Sequence, residues 1–110
     1  MAKGWYIDRG VDVVTVSRRV PVRFDLAVEA RLPLARSLTR VAQQVRQDLW
    51  RALRDLRGFA PAVRVERQAD ALLVRAGGQV DGPIPATAAR RVAALLESPV
   101  HRARWQRWAS

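Results

Sequence analysis

The chain contains 110 residues, carries a formal net charge of +10 and has no cysteine, which excludes disulfide bonds, thiolate metal sites and thiol catalysis. A hydrophobic content of 49% with 27% charged residues is typical of a folded globular protein and excludes a disordered chain. The sequence has no apolar run of about 18 residues, the length that a membrane-spanning helix needs. Because the N-terminal segment also lacks the apolar core of a signal peptide, we expect a single cytoplasmic domain covering residues 1–110.

The positive charge comes almost entirely from arginine, since Lys3 is the only lysine. Twenty basic residues against ten acidic ones favour an anionic partner, either nucleic acid or an anionic membrane surface. An arginine-rich composition with abundant alanine and valine is also typical of GC-rich coding, whatever the function. Composition therefore leaves a functional and a purely compositional explanation open.

Two strands are predicted in the first third of the chain. Residues 1–10 are interpreted as a lead-in or a short edge segment, and the β-branched residues of 11–16 predict a strand. Over residues 20–32 apolar side chains alternate with mostly charged ones, which predicts a strand with one buried and one solvated face. We expect Leu26 on the buried face and Asp25 on the solvated one.

One long helix is predicted over residues 33–57, because apolar residues recur there at spacings of three and four. Pro33 suits its first position, where a missing N–H has no intrahelical partner. Gly58 suits the residue just past its end, where a left-handed backbone is needed. The opposite face comprises Arg36, Gln43, Gln47, Trp50 and Arg54, flanked by Arg40, Arg46, Arg51 and Arg57.

A second pair of strands follows the long helix. Residues 62–67 and 71–76 predict two strands joined by a short turn. The glycine pair 77–78 and the Asp-Gly-Pro segment 81–83 predict turns, with at most a brief strand between them. Neighbouring strands joined by short turns are antiparallel, so we expect a hairpin here.

The chain ends in a second helix and a basic tail. Residues 86–98 predict the helix, Pro99 stops or kinks it, and residues 100–110 form a tail rich in arginine and tryptophan. The predicted fold class is therefore α+β, in the order ββαββα. It combines a four-stranded mixed sheet, which includes a parallel crossover through the long helix, with two helices packed on one face.

Residues 22–67 resemble the alkaline-shock protein family of bacterial envelope-stress and cell-envelope-associated proteins. The matching segments are RFDLAVEA, VAQQVRQDL and LRGFAPAVRVER, in which an alternating strand leads into a long helix and, after a Gly-Phe turn, into a short strand. The resemblance implies a non-catalytic scaffold or partner-binding protein. It implies no site residues, and the second hairpin, the second helix and the tail have no counterpart in it.

The sequence offers little material for catalysis. His101 is the only histidine and lies in the basic tail, where a surface residue is the ordinary interpretation. Asp48 and Asp55 lie on one side of the predicted helix, but Arg51 and Arg54 are within reach of them, so surface ion pairs account for both. Neither metal-ligand spacings nor phosphate-binding glycine loops occur. We therefore predict a protein that is not an enzyme and has no cofactor or metal.

Two surfaces are predicted for binding. The polar helix face offers arginines for phosphate oxygens, glutamines for base edges and a tryptophan for stacking; its alternative is a solvated face with Trp50 folded onto the sheet edge. The tail suits single-stranded nucleic acid, an anionic membrane interface or a protein groove; its alternative is that the two tryptophans cap the core. The candidate binding residues are Arg36, Gln43, Gln47, Trp50, Arg54, Arg57, Arg102, Arg104, Trp105, Arg107 and Trp108.

These surfaces predict a small non-catalytic binding protein for nucleic acid, either RNA-binding or ribosome-associated. The alternative is an alkaline-shock-like scaffold that binds a protein partner or a second copy through its sheet edge or its tail, with the charge reflecting coding bias. Association with a membrane surface is least favoured, because the apolar faces of both helices are needed for the core. The distribution of the arginines in space separates the first two hypotheses.

Overall fold

Five strands and three helices make up residues 4–109, the part of the chain that a computed structural model describes. The strands form one sheet in the spatial order β1-β2-β4-β5-β3, and every neighbouring pair is antiparallel. The elements in chain order are β1 (Tyr6–Gly10), β2 (Val13–Ser17), β3 (Leu26–Leu32), α1 (Leu38–Ala52), β4 (Phe59–Arg67), β5 (Leu72–Val80), α2 (Ala86–Glu97) and α3 (Pro99–Ala109).

The α+β class is confirmed, but the four-stranded mixed sheet and the order ββαββα are wrong. The observed order is βββαββαα. β3 and β4 run in the same direction on either side of α1, as a crossover requires, but β5 lies between them and pairs with both, so no parallel pair forms. The extra strand lies within residues 1–10, which were predicted to be a lead-in or a short edge segment. The extra helix begins at Pro99 and extends through most of the predicted tail 100–110; residues 1–3 and Ser110 lie outside the described residues.

The alternating segment contributes a shorter strand than predicted. Its β-structure begins only at Leu26, because residues 18–25 form an irregular connection that includes a cis bond between Val20 and Pro21. Within β3 the alternation is correct, since Leu26 is buried and the side chains next to it are exposed. Asp25 is exposed as expected, yet its Oδ2 accepts a hydrogen bond from the Val80 backbone N–H at 3.0 Å. This hydrogen bond connects the residue that precedes β3 to the last residue of β5.

β5 continues through the glycine pair that was predicted to be a turn. Gly77 and Gly78 lie in the middle of the strand and pair with residues on both sides. A Cβ at Gly77 would overlap the Leu26 carbonyl oxygen, and one at Gly78 would overlap the Ala60 carbonyl oxygen. Glycine is therefore required at both positions because neighbouring backbones approach too closely for a Cβ atom.

α1 is shorter at both ends than the predicted helix of residues 33–57. It begins after Ser37, whose hydroxyl accepts a hydrogen bond from the Arg40 backbone N–H at 3.1 Å, and it ends at Ala52. Gly58 has the predicted positive φ, at 70°, but it lies in the turn that leads to β4 and not directly after the helix. Its carbonyl oxygen accepts a hydrogen bond from the Asp81 N–H at 2.9 Å, which joins the end of the α1–β4 connection to the start of the β5–α2 connection.

One face of the sheet packs against α1 and α2, and α3 packs mainly against those two helices. Val16, Val63 and Ala76 lie side by side on that face, and Leu49 from α1 and Trp105 from α3 complete the same apolar cluster. The opposite face carries alternating charged residues of the central strands. Among the described residues no helix is long and apolar enough to cross a membrane.

Candidate nucleic-acid interface

Carboxylates neutralise many of the arginines. Within residues 4–109, nine acidic side chains have an oxygen at most 3.8 Å from an arginine nitrogen. These ion pairs lie on the open face of the sheet, in the connections and on all three helices. The arginines in them are Arg19, Arg23, Arg31, Arg51, Arg64, Arg67, Arg75, Arg91, Arg102 and Arg104.

Five other arginines contact neutral groups, and all five lie on or against α1. Their guanidinium groups donate to hydroxyl, amide or carbonyl oxygens or lie over tryptophan rings. Such contacts leave the positive charge of these five residues uncompensated. Three further exposed arginines form none of these ion pairs and are dispersed: Arg36 lies before α1, Arg57 lies after it and Arg90 lies on α2. We call the five residues against α1 the α1 flank: Arg9, Arg18, Arg40, Arg46 and Arg54.

A cleft of about 320 Å³ opens in the middle of the α1 flank, where α1 meets the ends of β1, β2 and β4. Two tryptophans and two arginines face it, and none of the described residues that line it is acidic. We call it the Trp cleft. Its lining residues are Trp5, Arg18, Arg46, Gln47, Trp50, Phe59 and Pro61.

Trp5 is held between two guanidinium groups. The Cζ atom of Arg46 lies 4.4 Å from the centre of the indole ring, and that of Arg18 lies 5.4 Å from it. Both are within the range of cation–π attraction, which fixes the two charges at the edge of the cleft. Arg18 also donates to the Gly4 carbonyl oxygen at 3.2 Å, and Arg46 donates to Oε1 of Gln43 at 2.9 Å.

The Arg46 guanidinium is the more enclosed of the two cleft charges. Partial burial lowers its pKa below the ordinary arginine value, because the charged group loses hydration. Arginine nevertheless keeps its proton at neutral pH. Arg46 therefore presents a partly dehydrated positive charge, and a negatively charged group that entered the cleft would stabilise it.

Trp50 and Gln47 supply the exposed surface of the cleft on α1. Trp50 is 47% exposed, and the Arg54 guanidinium lies 5.0 Å from its ring centre. Gln47 lies one turn away and is exposed. The structure therefore places Gln47 and Trp50 together on the polar face of α1, and Arg54, two residues past the end of the helix, lies against the Trp50 ring.

The tail residues form a separate structural cluster. Trp105 is fully buried, and its Nε1–H donates to Oδ2 of Asp48 at 2.7 Å. Arg104 forms an ion pair with the same carboxylate, while Arg102 donates to the Leu96 carbonyl oxygen at 2.6 Å and to the Glu97 carboxylate at 3.0 Å. Trp105 therefore offers no surface to a ligand, and its assignment as a stacking residue is replaced by a core role.

α3 and the Trp cleft lie on different sides of α1. Asp48 contacts α3, whereas Trp50 follows two residues later, roughly 200° around the helix. Trp108 is 58% exposed, but it lies in another groove, with Arg40 and Gln43. The tail tryptophans therefore do not line the cleft with Gln47 and Trp50, although Trp108 shares a groove with Gln43 of the polar helix face.

The remaining candidate residues are dispersed. Arg36 lies before α1 and is exposed, and its carbonyl oxygen accepts a hydrogen bond from Arg67 at 3.0 Å. Arg57 is exposed beside the turn that ends at Gly58, and Arg107 is exposed on α3. None of these three lines the Trp cleft.

The titratable groups of the tail have local structural partners. His101 Nδ1 lies 2.7 Å from the hydroxyl oxygen of Ser98, the residue that precedes α3, so the contact belongs to the start of that helix. In the described part of the chain no three His, Asp or Glu residues are arranged to hold a metal ion. The polar geometry here explains how α3 is anchored.

Comparison with known protein families, curated proteins and solved structures returns no match. A functional proposal for this chain therefore rests on its own geometry.

Sequence reasoning missed Trp5 and Arg18 and treated Arg46 only as a flanking residue. Their roles depend on the ends of β1 and β2 lying against α1, a contact between segments far apart in the chain. The one available signal is that Trp5 and Ile7 alternate with polar neighbours, as on a strand. Two residues are too short a pattern to separate an edge strand from a lead-in.

Proposed function

We propose that the protein is a small non-catalytic module that binds nucleic acid through the α1 flank and the Trp cleft. One observation carries the proposal: the five arginines of the α1 flank contact neutral groups and lie together along α1, whereas ten other arginines of residues 4–109 form ion pairs with carboxylates. A net charge that came only from composition gives no reason for five arginines without carboxylate partners to lie along one helix. Arginine forks without carboxylate neighbours are suited to phosphate oxygens.

The extent of the α1 flank favours a polymeric anion over a small one. Arg9 contacts Thr39 near the start of α1, and Arg54 lies just past its end. At 1.5 Å per residue, these positions are roughly 20 Å apart. Charges spread over that distance engage several phosphates of one chain at once, and the released counterions drive association.

A titration of fluorescently labelled single-stranded RNA at several salt concentrations tests this function. If the five arginines each meet one phosphate, the logarithm of the association constant should fall with the logarithm of salt concentration with a slope of about −3.5, from about 0.7 per phosphate. Absence of binding at low salt would refute the proposal, as would an affinity that does not change with salt.

A protein partner is the second candidate function, and the surface around α3 favours it. Trp108 is 58% exposed and Val100 is 77% exposed, and Trp108 lines a groove with Gln43 and Gln44 on α1. Exposed tryptophan beside arginine is typical of protein interfaces. Light scattering of wild type and Trp108→Ala tests self-association: a dimer that the substitution dissociates would favour this candidate.

A further inference from the structure

The two indole rings of the Trp cleft differ in what covers them. Trp5 has the guanidinium groups of both Arg18 and Arg46 over its ring. Trp50 has Arg54 over its ring and is still 47% exposed. Trp50 is therefore the aromatic surface in the cleft with the most room for another flat group.

The other lining residues match the separate parts of a nucleotide. Phe59 and Pro61 supply apolar contact area beside the rings. The Gln47 side chain offers one hydrogen-bond acceptor and one amino group, which suits the polar edge of a base. Arg18 and Arg46 supply the positive charge that an adjacent phosphate requires.

Both cleft arginines are held by neutral acceptors that a phosphate could replace. Arg18 donates to the carbonyl oxygen of Gly4, and Arg46 donates to the amide oxygen of Gln43. A phosphate oxygen adds an attraction between opposite charges that a carbonyl or amide oxygen does not supply, and the guanidinium fork can donate two parallel hydrogen bonds to a phosphate. The exchange of partners would therefore favour the bound state without disturbing an existing ion pair.

We propose that the Trp cleft holds one unpaired base of a single-stranded nucleic acid, stacked on Trp50, with a neighbouring phosphate on Arg18 and Arg46. This inference rests on the proposed nucleic-acid function and adds the substrate class. In a duplex both faces of each base are covered by neighbouring bases, so stacking on Trp50 requires the base to leave the helix. A single strand has no such barrier, and its bases stack on aromatic side chains with little dependence on sequence.

The test compares one labelled RNA of about 12 nucleotides, a length within the ~4–16 nucleotides that such grooves cover, in three forms. The first form is single-stranded, the second is annealed to its complement, and the third is single-stranded with abasic sites, which remove bases and keep phosphates. Each is titrated against wild type, Trp50→Ala and Trp108→Ala. Trp108 is the matched control, because it is exposed but lies outside the cleft.

Wild type should bind the intact single strand at least about 10-fold more tightly than either other form at the same salt concentration. Trp50→Ala should lower the affinity for the single strand by about 5- to 150-fold, the range of one base–aromatic stack, without changing the salt slope. It should leave the duplex affinity within about twofold, and Trp108→Ala should leave all three affinities within about twofold.

The possible failures are distinguishable. Equal wild-type affinity for the three forms, with the full salt slope, would overturn the inference and leave the proposed function standing. No binding of any form would overturn both. Circular dichroism checks that the Trp50→Ala variant is folded. If it is not folded, the affinities of wild-type protein for the intact and the abasic single strand test the inference without any substitution.

Discussion

The burial of Trp105 predicts that Trp105→Ala acts on stability and not on binding. Trp105 is fully buried in the cluster that joins α3 to α1 and the sheet. A buried tryptophan removes roughly 150–250 Å² from water, and its truncation to alanine typically costs ~3–5 kcal/mol. That loss is a large part of the ~5–15 kcal/mol that stabilises a domain, so much of the variant should be unfolded under mild denaturing conditions.

The hydrogen bond from Trp105 to Asp48 contributes a separable part of this stability. Trp105→Phe keeps an aromatic ring and removes the N–H that donates to Oδ2 of Asp48 at 2.7 Å. Losing a hydrogen bond to a charged group costs about 1.5–3 kcal/mol. Asp48 keeps its ion pair with Arg104, so its buried carboxylate is not left without a partner. A double-mutant cycle with Asp48→Asn should show a coupling of ~0.5–3 kcal/mol.

Urea unfolding followed by far-ultraviolet circular dichroism measures these losses, since the midpoint should fall while the slope with denaturant stays constant. Trp108→Ala is the control: its side chain is 58% exposed, so the cost should stay below about 1 kcal/mol. A cost for Trp105→Ala that matches the cost for Trp108→Ala would refute the assignment of Trp105 to the core.

Two further predictions concern the connections of the sheet. Gly58→Val should destabilise the protein by more than about 1 kcal/mol in the same urea assay. The φ angle of Gly58 is 70°, and a Cβ at this position would lie 2.5 Å from the Asp81 carbonyl oxygen. An unchanged free energy of unfolding would contradict the assigned turn. The hydrogen bond from the Val80 N–H, and then the Arg23 guanidinium, lower the pKa of the Asp25 carboxyl group in the folded protein. The Asp25 carboxylate should therefore stabilise the fold above the ordinary carboxyl pKa of about 3.9, and this stabilisation should be lost as the pH falls below that value. Asp25→Asn should therefore be less stable than wild type at about pH 7, and the difference should shrink at about pH 3; a constant difference would contradict the role of the charge.

The pattern of β3 shows what periodicity can and cannot predict. The alternation correctly assigns Leu26 to the core, because a strand with one buried face has apolar side chains at every second position. The same alternation extends back to Val20, where the chain has no strand partner, since side-chain pattern does not report where backbone hydrogen bonds form. Asp25 shows the same limit: it is exposed, but its hydrogen bond to β5 makes it more than a surface residue.

The sequence predicted only those residues of the Trp cleft that lie on one helix. Gln47 and Trp50 share the polar face of a helix, and one helix fixes their relative positions through local geometry. Trp5 and Arg18 join them only because the sheet brings its first two strands to α1. The burial of Trp105 and not of Trp108 likewise depends on a distant residue, Asp48, which accepts the hydrogen bond of Trp105. The sequence of α3 alone does not indicate it.

The most direct test of the account compares two variants that lose the same number of positive charges. Arg18→Gln with Arg46→Gln removes the charges of the Trp cleft. Arg64→Gln with Arg75→Gln removes two charges from neighbouring positions on the open face of the sheet, where both arginines have glutamate partners. Circular dichroism establishes that both proteins are folded before single-stranded RNA is titrated at several salt concentrations.

The account predicts that the cleft variant binds at least about 10-fold more weakly than wild type, with a salt slope smaller by about 1.4, from about 0.7 for each lost phosphate contact. The sheet-face variant should keep the wild-type slope and an affinity within about threefold, because its arginines are already neutralised. Equal weakening in the two variants would show that overall charge governs binding, and it would contradict an interface on the α1 flank.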